Sequence, residues 1–336
     1  MSMRKEKTVF ITWYHYLRRS FVLGKTLEAK TIFVNHLIMS RGLLWKLFFW
    51  VDYLYKTLIT LFFLLKEKPT HVFAVSPPSF CPMICWFYCK ISGIKLAVDA
   101  HNRTFSKRWI SVPFIEKVLH SADIVIVHND EFYRYLKTIF PQIRFFILQD
   151  KIPSLLSRKE DNTFISEKYF LAVLSYYDDE PVEQILIAAK KYLEVNGINI
   201  KFKLTGNYLK KKHLYRKYSS VNGIEFLGFV DQSTYNQLVV NAFGIIALTI
   251  EDMLQQCASI EAMGAGIPLI ISNTDTNRRL FFKGAVITDI DPISIKRSFE
   301  IFVKDKEKLL LEMRELKIYW EEQWNKAFAK LGTLMK

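Results

Sequence analysis

The sequence predicts an α/β protein of two Rossmann-like domains, each built on a parallel sheet. Three observations point there. Short, branched-rich apolar runs alternate with helical patterns through both halves of the chain, as strands joined by crossover helices do. A polar, mixed-charge stretch, DKIPSLLSRKEDNTFIS at 150–166, separates the halves and reads as a linker. Between 244 and 272 a complete strand–helix–strand unit is visible, the building block of a parallel sheet.

In the first half the expected strands are Thr8–Trp13, Thr31–Asn35, His71–Val75, Lys95–Ala100, Asp123–Val127 and Arg144–Leu148. Helical patterns lie near 15–29, 43–66, 82–91, 113–121 and 130–139. Ser76-Pro77-Pro78 makes a rigid turn after the third strand, on the edge where open α/β sheets bind ligands. The second half repeats the alternation with Tyr169–Ser175, Asn199–Leu204, Ile224–Phe229, Gly244–Thr249, Pro268–Ser272 and Ala285–Thr288. A helix near 293–304 and a long charged one over 306–331 follow. The expected division is a domain over 1–150, a linker over 151–166, a domain over 167–305 and a terminal helix over 306–336 that crosses back to the first domain.

Composition narrows the function. Half of the 336 residues are hydrophobic and 15% are aromatic, enough for large cores and too much for disorder. With 47 basic against 33 acidic residues the net charge is +14, which favours anionic partners such as nucleotide phosphates or lipid headgroups. Nucleic acid is not expected, because the basic residues spread over both halves and form no recognisable module. No P-loop lysine motif and no G-x-G-x-x-G occurs, so ATP hydrolysis and dinucleotide chemistry have no support. Four Cys do not make a disulfide framework. Cys81, Cys85 and Cys89 recur every four residues among Trp and Phe, the pattern of packing residues in a reducing compartment.

No secretory signal is visible in the opening MSMRKEKTVFITWY. Leu43–Leu65 is long and apolar, but Lys46, Asp52 and Lys56 interrupt it, and its longest uncharged run, Thr57–Leu65, is too short to cross ~30 Å of hydrocarbon. It reads as a helix with one face in the protein. The other face presses on a membrane surface through Trp45, Phe48, Phe49, Tyr53, Leu61 and Phe62, near Arg41, Lys46, Lys56, Lys66 and Lys68. The bland reading makes these aromatics part of the domain's own core. The expected location is cytoplasmic, with peripheral association to anionic membrane.

The most informative stretch is 244–284, GIIALTIEDMLQQCASIEAMGAGIPLIISNTDTNRRLFFKG. Asp252 and Gln255 stand in capping-box spacing, which predicts a helix start near Met253. Gly264 and Gly266 end the helix and Pro268 prevents its resumption. Glu261 then falls in the last turn, where a carboxylate is disfavoured by ~0.3–1 kcal/mol, with Ile260, Ala262 and Met263 as neighbours. It is either a surface Glu paired with a lysine or a group that a ligand hydroxyl needs.

SIEAMGAGIPLIIS, 259–272, resembles the C-terminal-domain signature of retaining GT-B glycosyltransferases of the large family 4. In that signature a helix carries Glu-Ala-Met, then a small residue, Gly, an apolar residue and Pro. The resemblance implies the GT-B layout, two Rossmann-like domains whose parallel sheets face a central cleft. It implies that Glu261 holds the ribose hydroxyls of a nucleotide-sugar. The family's second Glu, with seven residues between the two, would fall at Met253, so the full pair is absent. Glu251 or Asp252 stands in from the same loop, although a capping box explains Asp252 equally well.

Other residues take roles only through this resemblance. His101 ends the strand KLAVDA and would face the transferred sugar, whereas on its own it reads equally as a strand or helix cap. Thr205-Gly206-Asn207 resembles the short Gly-containing turn near the donor. The Gly-rich loop of many relatives is missing after the first strand. Trp13, His15, Arg18 and Arg19 stand there instead as acceptor-side candidates, the arginines gripping an acceptor phosphate or decorating a solvated helix. The family's Arg and Lys for the diphosphate are missing near 175–181, where Asp178-Asp179-Glu180 occur. Hard cations take carboxylates, but first-turn acids also complement a helix dipole, which is the preferred reading. Free amides at Leu254 and Gln255 would serve the diphosphate.

The expected function is transfer of a sugar from a nucleotide-sugar donor to a glycan or polyprenyl-linked acceptor, with retention, and with no cofactor or metal. Closure of the domains about the linker would exclude water and limit donor hydrolysis. The alternative is a nucleotide-sugar-binding protein of the same fold without turnover.

Overall fold

The computed structural model describes residues 7–37, 43–153 and 167–335; most of the expected linker lies outside them. The strands are β1 Thr8–Thr12, β2 Lys30–Phe33, β3 His71–Ser76, β4 Lys95–Ala100, β5 Ile124–Val127, β6 Phe145–Ile147, β7 Tyr169–Val173, β8 Lys201–Thr205, β9 Ile224–Gly228, β10 Gly244–Ala247, β11 Leu269–Ser272 and β12 Ala285–Thr288. In the first half the helices are α1 Arg18–Thr26, α2 Leu43–Glu67, α3 Phe80–Ser92, α4 Lys107–Ile110, α5 Ile115–Ser121 and α6 Asp130–Ile139. They continue with α7 Val182–Asn196, α8 Lys212–Tyr218, α9 Gln232–Asn241, α10 Cys257–Ala265, α11 Asp275–Leu280, α12 Pro292–Lys304 and α13 Lys306–Met335. The chain falls into two compact units. One comprises Met1–Lys151 with Trp324–Lys336, the other Ile152–Gln323.

The first unit carries a six-stranded sheet in the order β2-β1-β3-β4-β5-β6, with every adjacent pair parallel. Strand side chains alternate between its faces. Val9, Ile11, Val72, Ala74 and Val98 pack with α2, α3 and α5, where Cys81, Cys85 and Cys89 are buried as the four-residue spacing predicts. On the other face Phe10, Phe73, Val75, Ala97 and Ile126 pack with Leu23 of α1 and with Trp324, Leu331 and Met335 of α13.

In α2 the two charges that break up the apolar sequence point inward. Asp52 and Lys56 are buried. Lys56 Nζ lies 3.1 Å from Asp52 Oδ2, His36 Nδ1 lies 2.7 Å from the same oxygen, and the Leu37 amide donates to Oδ1 at 2.7 Å. Burial keeps Lys56 below the usual lysine range. Burial also works against the Asp52 carboxylate, yet its hydrogen bonds hold its pKa below the ordinary value. The expected membrane-facing Lys56 is therefore an interior group, because an i,i+4 acid–base pair satisfies itself and lets that face pack. Tyr53 turns inward with it, edge-on to Trp13 and Phe80.

The second unit has the sheet order β12-β11-β10-β7-β8-β9, again all parallel. The chain starts at its middle with β7, runs outward to β9, then reverses at β10. That reversal marks the point, between the carboxyl ends of β7 and β10, at which doubly wound sheets bind ligands. Phe170, Phe202, Phe299 and Phe302 fill one face, and Leu171, Ile245, Ile271, Met263 and Met313 the other. Gly244 opens β10 under this aromatic layer: a Cβ there would lie 2.3 Å from Phe302 Cζ. Gly244→Ala should overpack the core and lower the unfolding free energy by about 1–3 kcal/mol, read by urea denaturation of the whole chain.

Candidate active site

Residues of chemical interest gather at the carboxyl edges of the two sheets. In the first unit the edge is organised around Arg19. Its Nε donates to both Asp99 oxygens at 3.0 and 3.1 Å, Nη1 to Asp150 Oδ1 at 2.6 Å, and Nη2 to the Leu148 carbonyl at 2.9 Å. Asp99 is fully buried and the Arg19 side chain is 6% exposed. Although burial opposes its charge, the two carboxylates raise the pKa of this guanidinium above its ordinary value. Arg19, expected as an acceptor ligand, is an interior tie, because each of its three nitrogens already donates within the protein. Trp13 is likewise interior: it is buried and its Nε1 donates to Thr60 Oγ1 at 2.9 Å. Of the same group, His15 is exposed and Arg18 half-buried.

His101 stands just past β4, where its amide donates to the Ser76 carbonyl at 2.9 Å and Thr104 Oγ1 donates to the same oxygen at 2.7 Å. Beside it is His128, which follows β5. Asp99 pairs with Ile126 in the parallel register, so two residues further along the histidines are neighbours, their rings 4.6 Å apart and edge-on. The Nε2 atoms lie 4.0 Å (His101) and 3.9 Å (His128) from Asp99 oxygens, and both are buried without a hydrogen-bond partner. Burial lowers both imidazole pKa values, with Asp99 opposing the shift at His101 and Arg19 adding to it at His128. Both rings are neutral near pH 7. His128 escaped the sequence reading although it follows its apolar strand as His101 follows β4.

In the second unit the loops after β7, β8 and β10 meet at the switch point. The Glu180 carboxylate accepts from the amides of Ser175 and Tyr176 and from Ser175 Oγ. It clamps its own loop just ahead of α7. Lys210 Nζ donates to the Ser175 carbonyl at 2.8 Å and lies 3.5 Å from the centre of the Tyr177 ring, so one member of the Lys210–Lys212 run is tied into this edge. Lys211 pairs with Asp178 at 3.6 Å. Gly206, between buried Thr205 and half-buried Asn207, has φ +96°, and a Cβ on it would lie 1.8 Å from the Leu174 carbonyl oxygen. Only glycine fits this turn.

The β10 loop departs from expectation. α10 begins at Cys257 and not at Met253. Met253 has φ +56°, a left-handed conformation that cannot open a right-handed helix. Asp252 Oδ1 accepts from the adjacent Met253 amide, so it caps nothing. Gln256 holds the N-cap position and its Nε2 donates to the Leu248 carbonyl at 2.9 Å, pinning the loop to the strand end. Leu254 and Gln255 therefore lie in the loop, with Glu251 and Asp252 exposed, and the helix-opening amides begin at Cys257. The Ile250 amide donates to the Asp179 carbonyl at 2.8 Å, joining this loop to the one after β7.

Glu261 is the fifth of nine residues of α10, mid-helix and not in the last turn, so the helix-dipole argument for its oddity does not hold. It is half-buried and accepts a hydrogen bond from Tyr235 of α9 at Oε2.

Because folding lowers both histidine pKa values, the unfolded chain takes up more protons below about 6.5, the ordinary histidine value. Stability is complete above that pH and declines as pH falls toward the folded values. Urea unfolding at pH 7.5 and 5.5 should show a loss of up to about 1.4 kcal/mol per pH unit for each of the two half-buried histidines. His128→Gln should show a smaller loss.

No protein-family model matches the sequence, and no curated protein matches it. Solved structures do match the fold. Sucrose-phosphate synthase from Thermosynechococcus elongatus superposes with a TM-score of 0.76 at 12% identity, over 98% of each chain. Anabaena HepE, solved with UDP and glucose, gives 0.69 at 10% identity, over 96% of this chain and 99% of that one. S. aureus MnaA, solved with UDP, gives 0.61 at 11% identity, over 92% of this chain and 90% of that one. With its two parallel six-stranded sheets, the chain has the GT-B fold.

Proposed function

We propose that the chain is a glycosyltransferase that moves a sugar from a nucleotide-sugar donor to an acceptor. One observation carries this beyond the fold: a half-buried carboxylate, Glu261, held by Tyr235 on the helix that opens at the switch point of the second sheet. A carboxylate so placed suits the vicinal hydroxyls of a ribose, and HepE and MnaA, which share the fold, were solved with UDP. The helix-opening amides from Cys257 onward and Lys210 would receive the diphosphate and stabilise charge on it as the sugar leaves. Thr205, Gly206 and Asn207 form the floor beside it, with Glu251 and Asp252 at the loop's solvent side. In this reading His101 donates from its neutral imidazole to a hydroxyl of the transferred sugar, the reaction retains configuration, and His15 and Arg18 serve the acceptor. The position eight residues before Glu261 holds Met253, and that favours the second reading, donor binding without turnover.

Glu261→Gln keeps an oxygen for Tyr235 but removes the charge, so donor affinity should fall roughly tenfold or more, the cost of about 1.5–3 kcal/mol for a charge-assisted hydrogen bond. The measurement is donor titration across a panel of nucleotide-sugars, followed by product analysis. Unchanged affinity removes Glu261 from the site. Tight binding without transfer to any acceptor selects the second reading.

The acceptor is proposed to be lipid-linked, which places the first unit on anionic membrane. Phe48–Glu67 is a helix stretch long and apolar enough to cross a membrane by length and composition. With Asp52 and Lys56 turned inward, Phe48, Trp50, Val51, Leu54, Leu58, Phe62 and Leu65 are exposed along it, joined by Phe87 and Ile91 of the packed α3, with Lys66, Lys68 and Lys90 exposed nearby. One face in the protein and one in solvent suits a helix lying in the interface plane, and each basic residue near the surface adds about 1 kcal/mol. Flotation with vesicles should show binding to anionic ones that high salt reverses and that Leu54→Glu abolishes. Absence from both neutral and anionic vesicles would point to a soluble glycan.

A further inference from the structure

We propose that Asp99, His101 and His128 bind one divalent transition-metal ion of the zinc type. The inference does not need the transferase reading, although the two share His101, and it rests on the first sheet edge alone. The three donor atoms lie within 4.8 Å of one another, and among the described residues they are the only His, Cys, Asp or Glu group of this kind.

Register creates the site. Asp99 and His101 are two residues apart at the end of β4, and the β4–β5 pairing sets His128 beside His101. Both Nε2 atoms are buried and make no hydrogen bond, an expensive state for a polar atom unless something fills the space between them. Charge points the same way. Arg19 faces two carboxylates, Asp99 and Asp150, so one guanidinium is shared between two acids and Asp99 keeps lone pairs for a second cation. A cation at the two nitrogens and Asp99 gives both orphaned ring nitrogens a partner.

Arg19 does not compete for that position. Its guanidinium bonds Asp99 through Nε and donates from its other two nitrogens to Asp150 and Leu148. It therefore acts as the outer group that orients a ligating carboxylate. Two imidazoles and one carboxylate select zinc, cobalt, nickel or copper over magnesium or calcium. Three protein ligands leave a fourth position for water or a ligand oxygen. Zinc–nitrogen bonds of about 2.0–2.1 Å require the donors to close to roughly 3.4 Å, which side-chain rotation of under about an ångström each supplies. An ion enters past His101, whose side chain is 25% exposed.

The test uses the full chain, stripped with a chelator and dialysed. Zn²⁺ is titrated against a chromophoric competitor, and Co²⁺ is added separately to read the visible absorption of a nitrogen-ligated ion. Wild type should take up one equivalent of Zn²⁺ and gain thermal stability with it. His101→Gln and His128→Gln should each weaken uptake by at least about 100-fold, more than loss of an outer-shell partner costs. Cys257→Ser, at the exposed cysteine, should bind as wild type does. No uptake by wild type at micromolar Zn²⁺ would overturn the proposal and leave the space to water. Undiminished uptake by both histidine variants would overturn it by placing the ion elsewhere. The wild-type stability gain reads the site even if a variant fails to fold.

Discussion

The carboxyl edge of the first sheet depends on one buried guanidinium. Arg19 draws together α1, the end of β4 and the segment after β6, from positions 80 and 131 residues away in sequence. Buried ion pairs contribute little net stability when complete, but breaking one leaves a buried charge uncompensated, at about 3–5 kcal/mol. Here the charge left behind would be Asp99, directly beneath His101 and His128. Whatever the histidines do, their positions rest on the network below them.

The two units share a topology and differ in the chemistry of their edges. The first presents neutral imidazoles over an ion-pair floor, with Trp13 and Thr60 sealing the neighbouring strand end. The second presents backbone amides, a lysine held over an aromatic ring, and a carboxylate set by a tyrosine. A division of labour follows from the groups themselves. Amides and an ammonium suit a phosphate, whereas imidazoles suit hydroxyls or a metal.

Much of this was legible in sequence because continuous apolar strands alternating with amphipathic helices leave few alternatives. All twelve strands among the described residues lie where apolar runs place them, give or take their ends. The misses share a cause. The α10 start was read from an acid three residues before a glutamine, but the decisive facts are a positive φ at Met253 and a hydrogen bond from Gln256 back to Leu248, neither of which side-chain spacing encodes. Arg19 looked like a solvated or ligand-binding cation because Asp99 and Asp150 are far away in sequence. Lys56 looked like a surface lysine until the helix face it occupies was known. His101 was found through a resemblance, and His128, which has none, needed the β4–β5 register.

The last helix bears on the order in which the molecule can be made. α13 spans thirty residues, about 45 Å at 1.5 Å per residue. Its early turns belong to the second unit, where Lys317 and Trp320 donate to the Gly264 and Leu280 carbonyls. Its last turns complete the first unit: Trp324 donates to the Gln149 carbonyl and His71 bonds the Met335 carbonyl. One face of the first sheet is thus completed by a segment, Trp324–Met335, that follows the whole second unit in sequence. During synthesis residues 7–151 would wait for the second unit to be made before this face could close.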